Sequence, residues 1–231
     1  SKLREVRVLR GFQRLIPNND SFVPSDLSGK KKWLPATEVF GEGIFIAFSK
    51  SAISSWENKN AEALTNRLSS MQTTYEKDEL NFLPKPTAKF VLLHTFAHLL
   101  IRQLSFECGY SSSALRERIY CDDLEMSGIM IYTADSDSEG ALGGLVRQGK
   151  ADRFVPTVLT ALERGSWCSS DPVCRELAGQ GMRGLNRAAC HACTLLPETS
   201  CIAHNALLDR MLLLGKNEKA NYGFFNSAMD K

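Results

Sequence analysis

The apolar positions of this chain change period several times, and each change marks an element. Residues 5–9 alternate in part, with Val6 and Val8 between charged neighbours, and predict a strand with one exposed face. Residues 17–32 are polar and end in a Ser-Gly-Lys-Lys-Lys tip, which predicts a loop. Val39-Phe40 and the run Ile44-Phe45-Ile46-Ala47-Phe48 flank Gly41-Glu42-Gly43, so a two-strand hairpin is expected to turn on those glycines. From 55 to 71 the period becomes helical, with Ala61, Leu64 and Leu68 on one side.

The clearest element follows Pro84-Lys85-Pro86. Thr87 is placed as an N-cap, residues 90–106 are apolar around most of the circumference, and Gly109 is placed to end the helix. A helix that apolar belongs in the core. Ser111-Ser112-Ser113 then caps an expected short helix at 114–118, and 129–133 reads as a buried strand. Two more helices are expected at 153–164 and 202–214, closed by Gly165 and Gly215. The fold class is therefore α+β: a small mixed or antiparallel sheet packed on a long buried helix, with a four-cysteine zinc-bound segment. One domain is expected, made of N-terminal strands and hairpin (1–50), a helical and linker segment (51–86), the core helix and strand region (87–165), the cysteine-rich segment with its closing helix (166–216) and a tail (217–231).

Five of the seven cysteines lie in WCSSDPVCRELAGQGMRGLNRAACHACTLLPETSC, residues 167–201. Cys190 and Cys193 form a C-x-x-C, whose turn points both sulfurs to one side and so chelates a single ion. A remote pair then completes the tetrahedron that Zn2+ prefers. Cys168, Cys174 and Cys201 compete for those two places, and spacing does not decide among them. His191 and His204 are made unnecessary by the surplus of thiols. The segment is rich in Gly, Ser, Asp and Pro and has too little apolar material to form a core of its own, which favours metal over ordinary buried cysteines. There is no H-E-x-x-H and no H-x-E paired with P-C-x-x-C, so the site reads as closed and structural.

Composition narrows the class. Hydrophobic residues at 43% and charged residues at 23% are ordinary for a soluble globular protein, and 231 residues suffice for one large domain. No apolar run has the length of a membrane span, and cysteines gathered in a metal-like cluster suit a reducing cytoplasm. Residues 1–32 carry eight basic side chains against three acidic ones. Arg10, Arg14, Lys30, Lys31 and Lys32 are the candidate phosphate contacts, weighed evenly against a merely solvated face. The chain opens inside a strand, as the C-terminal part of a longer protein would.

His94 and His98 sit four apart on the core helix and share a face. A pair of core histidines bonded to backbone or carboxylate is favoured over a metal pair or catalytic base, because local sequence offers no third ligand. The strand at 129–133 runs into a loop with Asp135, Asp137, Glu139, Gly140, Gly143 and Gly144. It lacks the G-K-[ST] ending of a phosphate loop, and its acidic residues would repel phosphate. A structural loop is the expectation.

Several of these stretches together resemble a known family: GEGIF at 41–45, LHTFAHLL at 93–100, EGALGGL at 139–145 and the cysteine segment through LDR at Arg210. They are similar to the zinc-binding domain fused to MrfA-type superfamily 2 helicases. They are closer to the DrmB family, the helicase-partner subunits of the bacterial DISARM anti-phage system. The resemblance implies structural Zn2+ held by four of Cys168, Cys174, Cys190, Cys193 and Cys201, a DNA helicase subunit and DNA as partners, and no catalytic role. In the helicase-fused relatives the cysteines are more tightly spaced, and 175–189 is an insertion here. Two rivals are carried with that reading. One is a metal-dependent hydrolase or nuclease using His94, His98, Asp135 and Asp137, and the other is a protein–protein module without DNA contact.

Overall fold

In the computed structural model the residues described are 2–13, 22–121, 126–134, 142–215 and 222–226. Strand β1 (Lys2–Val8) pairs with β4 (Ala36–Ala47), β4 with β6 (Ser127–Ala134), and β6 with β5 (Arg116–Cys121), all antiparallel, in the order β1-β4-β6-β5. A separate ribbon joins β2 (Gly11–Gln13) to β3 (Phe22–Pro24), so part of the expected 17–32 loop is strand. Helices α1 (Lys50–Lys59) and α2 (Ala61–Lys77) break at Asn60 where one helix was expected.

The expected hairpin at Gly41-Glu42-Gly43 is not formed. These residues lie in the middle of β4, whose first half pairs with β1 and whose second half pairs with β6. The glycine at 43 answers packing rather than turning: a Cβ there would stand 2.9 Å from Cβ of Tyr132 and 3.1 Å from the Ile131 carbonyl. Glu42 is buried beneath α4 (Gly144–Gln148), where Oε1 accepts Leu145 N at 3.0 Å and Oε2 accepts Val146 N at 3.1 Å. Tyr110 Oη also donates to Oε1, at 2.6 Å. Two of the stretches that carry the family resemblance thus meet in one carboxylate, which caps a helix.

Helix α3 (Ala88–Cys108) has the expected caps: Thr87 Oγ1 accepts Phe90 N at 3.1 Å, and Gly109 takes a left-handed φ of 74°. Every residue from Phe90 to Ile101 is buried. It packs on β5 and β6 and against α5 (Ala151–Gly165) and α7 (Arg210–Leu214), which places it at the centre of the main core cluster. The expected helix at 114–118 is not formed: Ala114 closes a turn and 116–118 are the start of β5. Its core-facing residues are Glu117, Ile119 and Cys121, and a charged residue at a core position hides the two-residue period. The expected helix at 202–214 shrinks to α7. Residues 202–205 are turn and 206–209 are irregular up to a bridge between Asp209 and Arg187, with positive φ at His204, Asn205 and Leu207. Arg67 of α2 holds this region through a bidentate pair with Asp209 at 2.6 and 2.9 Å. The C-terminal stretch 222–226 packs inward, with Trp56 Nε1 donating to the Tyr222 carbonyl at 2.7 Å and Phe225 stacked on Phe96.

Candidate metal centre

Cys168 follows the end of α5, and Cys174 sits in the single turn α6 (Val173–Glu176). Cys190 and Cys193 lie in a tight turn closed by Cys193 N to Cys190 O at 3.2 Å and Thr194 N to Cys190 O at 2.9 Å. The four sulfurs lie within 4.8 Å of one another. The separations are 3.5 Å for Cys168–Cys190, 3.7 Å for Cys190–Cys193 and 3.8 Å for Cys174–Cys193. A tetrahedral Zn2+ with Zn–S of about 2.3 Å requires edges of about 3.8 Å. The donor set and its spacing fit zinc, and the four thiols leave no open position. Cys201, the fifth candidate, belongs elsewhere.

The surrounding groups suit a site of net negative charge. The Cys193 sulfur accepts Cys190 N at 3.3 Å and Thr194 Oγ1 at 3.2 Å, and the Cys168 sulfur accepts Ser170 N at 3.4 Å. Arg210, fully buried, donates to the carbonyls of Ala188 at 2.6 Å and Gly165 at 2.7 Å, to Asp171 at 3.1 Å and to the Cys174 sulfur at 3.7 Å. A buried cation beside a tetrathiolate offsets part of its charge. Arg102 of α3 donates to the carbonyls of Ala192 at 2.9 Å and Leu195 at 3.2 Å, holding the C-x-x-C turn against the core helix. Burial raises the Cys174 thiol, with the charge of Cys193 adding to it. Burial would raise Cys190 too, but hydrogen bonds from Cys168 and from the Ala192 and Cys193 amides bring it down to about 7. Neither Arg210 nor Arg102 was assigned a role from sequence, because nothing in an isolated arginine says that it will be buried.

Cys201 lies with His94, His98 and Glu117, again with all ligand atoms within 4.8 Å. Both histidines are fully buried, as expected of core histidines, and each bonds a backbone carbonyl through Nδ1: His94 to Leu207 at 3.3 Å, His98 to Thr194 at 3.1 Å. His94 Nε2 is 3.0 Å from Glu117 Oε1 and 3.2 Å from the Cys201 sulfur. Burial opposes charge on His94, but Glu117 and Cys201 outweigh it and push the imidazole up to about 10. Burial would likewise raise Glu117, yet the two histidines hold it well below the usual carboxylate range. Asp135, Asp137, Glu139 and Gly140 lie outside the described residues, so the pocket that the hydrolase rival requires is not among them.

Of the candidate phosphate contacts, Arg14 also lies outside the described residues. Arg10, Lys30, Lys31 and Lys32 are exposed. Asp26 shapes their loop by accepting Ser28 N at 3.0 Å, Ser28 Oγ at 2.6 Å and Lys31 N at 2.8 Å. Lys31 Nζ stands 4.8 Å above the exposed Trp33 ring. A second basic and aromatic surface flanks the cysteines. It is a cleft of about 660 Å3 lined in part by Cys168, Trp167, Phe106 and Arg164, with the Arg164 guanidinium 4.8 Å over the Phe106 ring. No described helix is long and apolar enough to cross a membrane.

Comparison with known proteins agrees with this centre. Residues 96–194 match the family model described as the MrfA Zn-binding domain. That span contains all four clustered cysteines. The chain is also 41% identical, over 241 aligned residues, to a protein described as "DISARM protein DrmB" from Bacillus paralicheniformis. The match takes in 99% of this chain but 42% of that relative, so the chain spans less than half of the relative's length.

Proposed function

We propose that this chain is a non-catalytic module, stapled by one structural zinc on Cys168, Cys174, Cys190 and Cys193, that docks on a superfamily 2 helicase and contacts DNA in bacterial defence against phage. The observation that carries the reading is the closed four-sulfur cluster. Four thiolates fill a tetrahedron, leave no position for substrate or activated water, and make the ion a cross-link between α5, α6 and the C-x-x-C turn. The similarity to a DISARM protein supplies the setting. The described residues hold no G-K-[ST] loop, so the helicase is the component that hydrolyses ATP.

Two surfaces favour DNA over a dry protein interface. The Asp26 loop presents Lys30, Lys31 and Lys32 beside Trp33, and the cleft next to the cysteines presents Arg164 with Trp167 and Phe106. Cations that follow a backbone and rings on which bases stack are the usual components of single-strand binding. The protein–protein rival has its own support in the uncovered apolar residues Val6, Val8 and Phe40 on β1 and the first half of β4. Co-elution with a superfamily 2 helicase of the same organism, with and without a duplex carrying a single-stranded end, tests the reading. A complex that DNA tightens is expected. A complex indifferent to DNA would move the protein–protein reading ahead, and elution alone in both conditions would remove the helicase.

A further inference from the structure

We infer that His94, His98, Glu117 and Cys201 form a second closed site for a divalent metal of the zinc class, separate from the four-cysteine cluster. The geometry comes first. His94 and His98 are one helical turn apart on α3, Glu117 comes from β5 and Cys201 from the chain after the C-x-x-C turn, so three separate elements converge. A tetrahedron of mixed N, O and S donors around one ion has edges of about 3.3–3.6 Å. The His98–Glu117 contact of 3.5 Å falls within that range, and the His94–Glu117 and His94–Cys201 contacts of 3.0 and 3.2 Å are a few tenths shorter, so a bound ion would spread them slightly.

The hydrogen bonds outside the cluster point the same way. A backbone carbonyl only accepts, so both Nδ1 atoms carry protons, and a metal ion that replaced any proton on Nε2 would find both of those lone pairs turned inward. This is the arrangement in which a carbonyl orients a metal-bound imidazole. The Cys201 sulfur accepts the amides of Ala203 and Asn205, both at 3.3 Å, as a thiolate ligand does. Four inward acceptors then face one another with almost no solvent. His98 Nε2 and Glu117 Oε2, both buried, have no hydrogen-bond partner. Protons on the two histidines would answer their contacts with Glu117 Oε1 and Cys201 but would leave Glu117 Oε2 without a partner, whereas one cation can be held by all four groups. Two neutral imidazoles, a carboxylate and a thiolate suit zinc in kind and number, and full protein ligation makes the site structural. The family match, residues 96–194, takes in neither His94 nor Cys201.

Metal content and the zinc K-edge absorption spectrum of the purified full chain test the second site without recourse to activity. About two zinc ions per chain are expected, with an averaged shell drawn from five sulfurs and three nitrogen or oxygen atoms. Cys201→Ala should lose one ion and leave an all-sulfur shell. One ion per chain in an all-sulfur shell would overturn the inference and leave a proton-held histidine–carboxylate cluster. If Cys201→Ala fails to fold, the ion count and shell of the unaltered chain still distinguish two sites from one.

Discussion

His98 donates Nδ1–H to the carbonyl of Thr194 at 3.1 Å, and Thr194 in turn donates its hydroxyl to the sulfur of Cys193 at 3.2 Å. One residue therefore joins the core helix to the four-cysteine cluster. Thr194 is fully buried, so neither bond competes with water. Thr194→Val keeps the shape and the carbonyl but removes the hydroxyl. Zinc affinity should fall by about 10- to 100-fold, measured by competition with a coloured chelator. Unchanged affinity would mean that the backbone amides alone set the thiolate.

Arg210 is the buried counter-charge of the same site. Arg210→Met leaves the thiolates without their buried cation and Asp171 with Arg175 alone, at 3.4 Å, and should destabilise the chain by about 3–5 kcal/mol in urea unfolding. Arg210→Lys should recover little of it, since one ammonium cannot reach Ala188, Gly165, Asp171 and Cys174 together.

Glu42 gives a pH dependence with a definite sign. Burial would raise its carboxyl, but hydrogen bonds from Tyr110 and the Leu145 and Val146 amides outweigh burial and lower it below its ordinary value of 4.5. Its contribution is therefore complete above that value and is lost as pH falls through the lowered folded pKa. Glu42→Gln should cost about 1.5–3 kcal/mol at neutral pH. The gap to the unaltered chain should close in acid. A gap that persists in acid would assign the loss to packing.

Gly43→Ala tests why glycine stands in mid-strand. The added methyl meets Tyr132 Cβ and the Ile131 carbonyl, so a loss of about 1–3 kcal/mol is expected in thermal unfolding. If glycine were there for a turn, β4 would not tolerate the register seen from Gly41 to Ala47.

Replacing Lys30, Lys31 and Lys32 together by alanine should lower the slope of log affinity against log salt by about 2–3 for a DNA with a single-stranded end. The fold should not change, because all three are exposed and Asp26 organises their loop through the Lys31 backbone amide. An unaltered slope would leave the cleft at Arg164 as the surface to pursue.

The core helix and its two caps were legible in the sequence, because a long apolar run bounded by Thr87 and Gly109 depends on local chemistry. So was the metal class, because a C-x-x-C turn chelates whatever surrounds it. Two other readings failed where long-range contacts override local signals. Gly41-Glu42-Gly43 looked like a turn, but Tyr132 rather than backbone freedom accounts for Gly43. Glu117 looked like part of a helix, because no pattern of apolar residues reveals a carboxylate buried in the core beside two histidines. Spacing also left five thiols competing for four places. Only the tertiary structure separates Cys201 from the other four. Its sulfur is carried beside α3 and β5, elements about 100 residues earlier in the chain, and proximity of that kind is set by the packing of the whole domain.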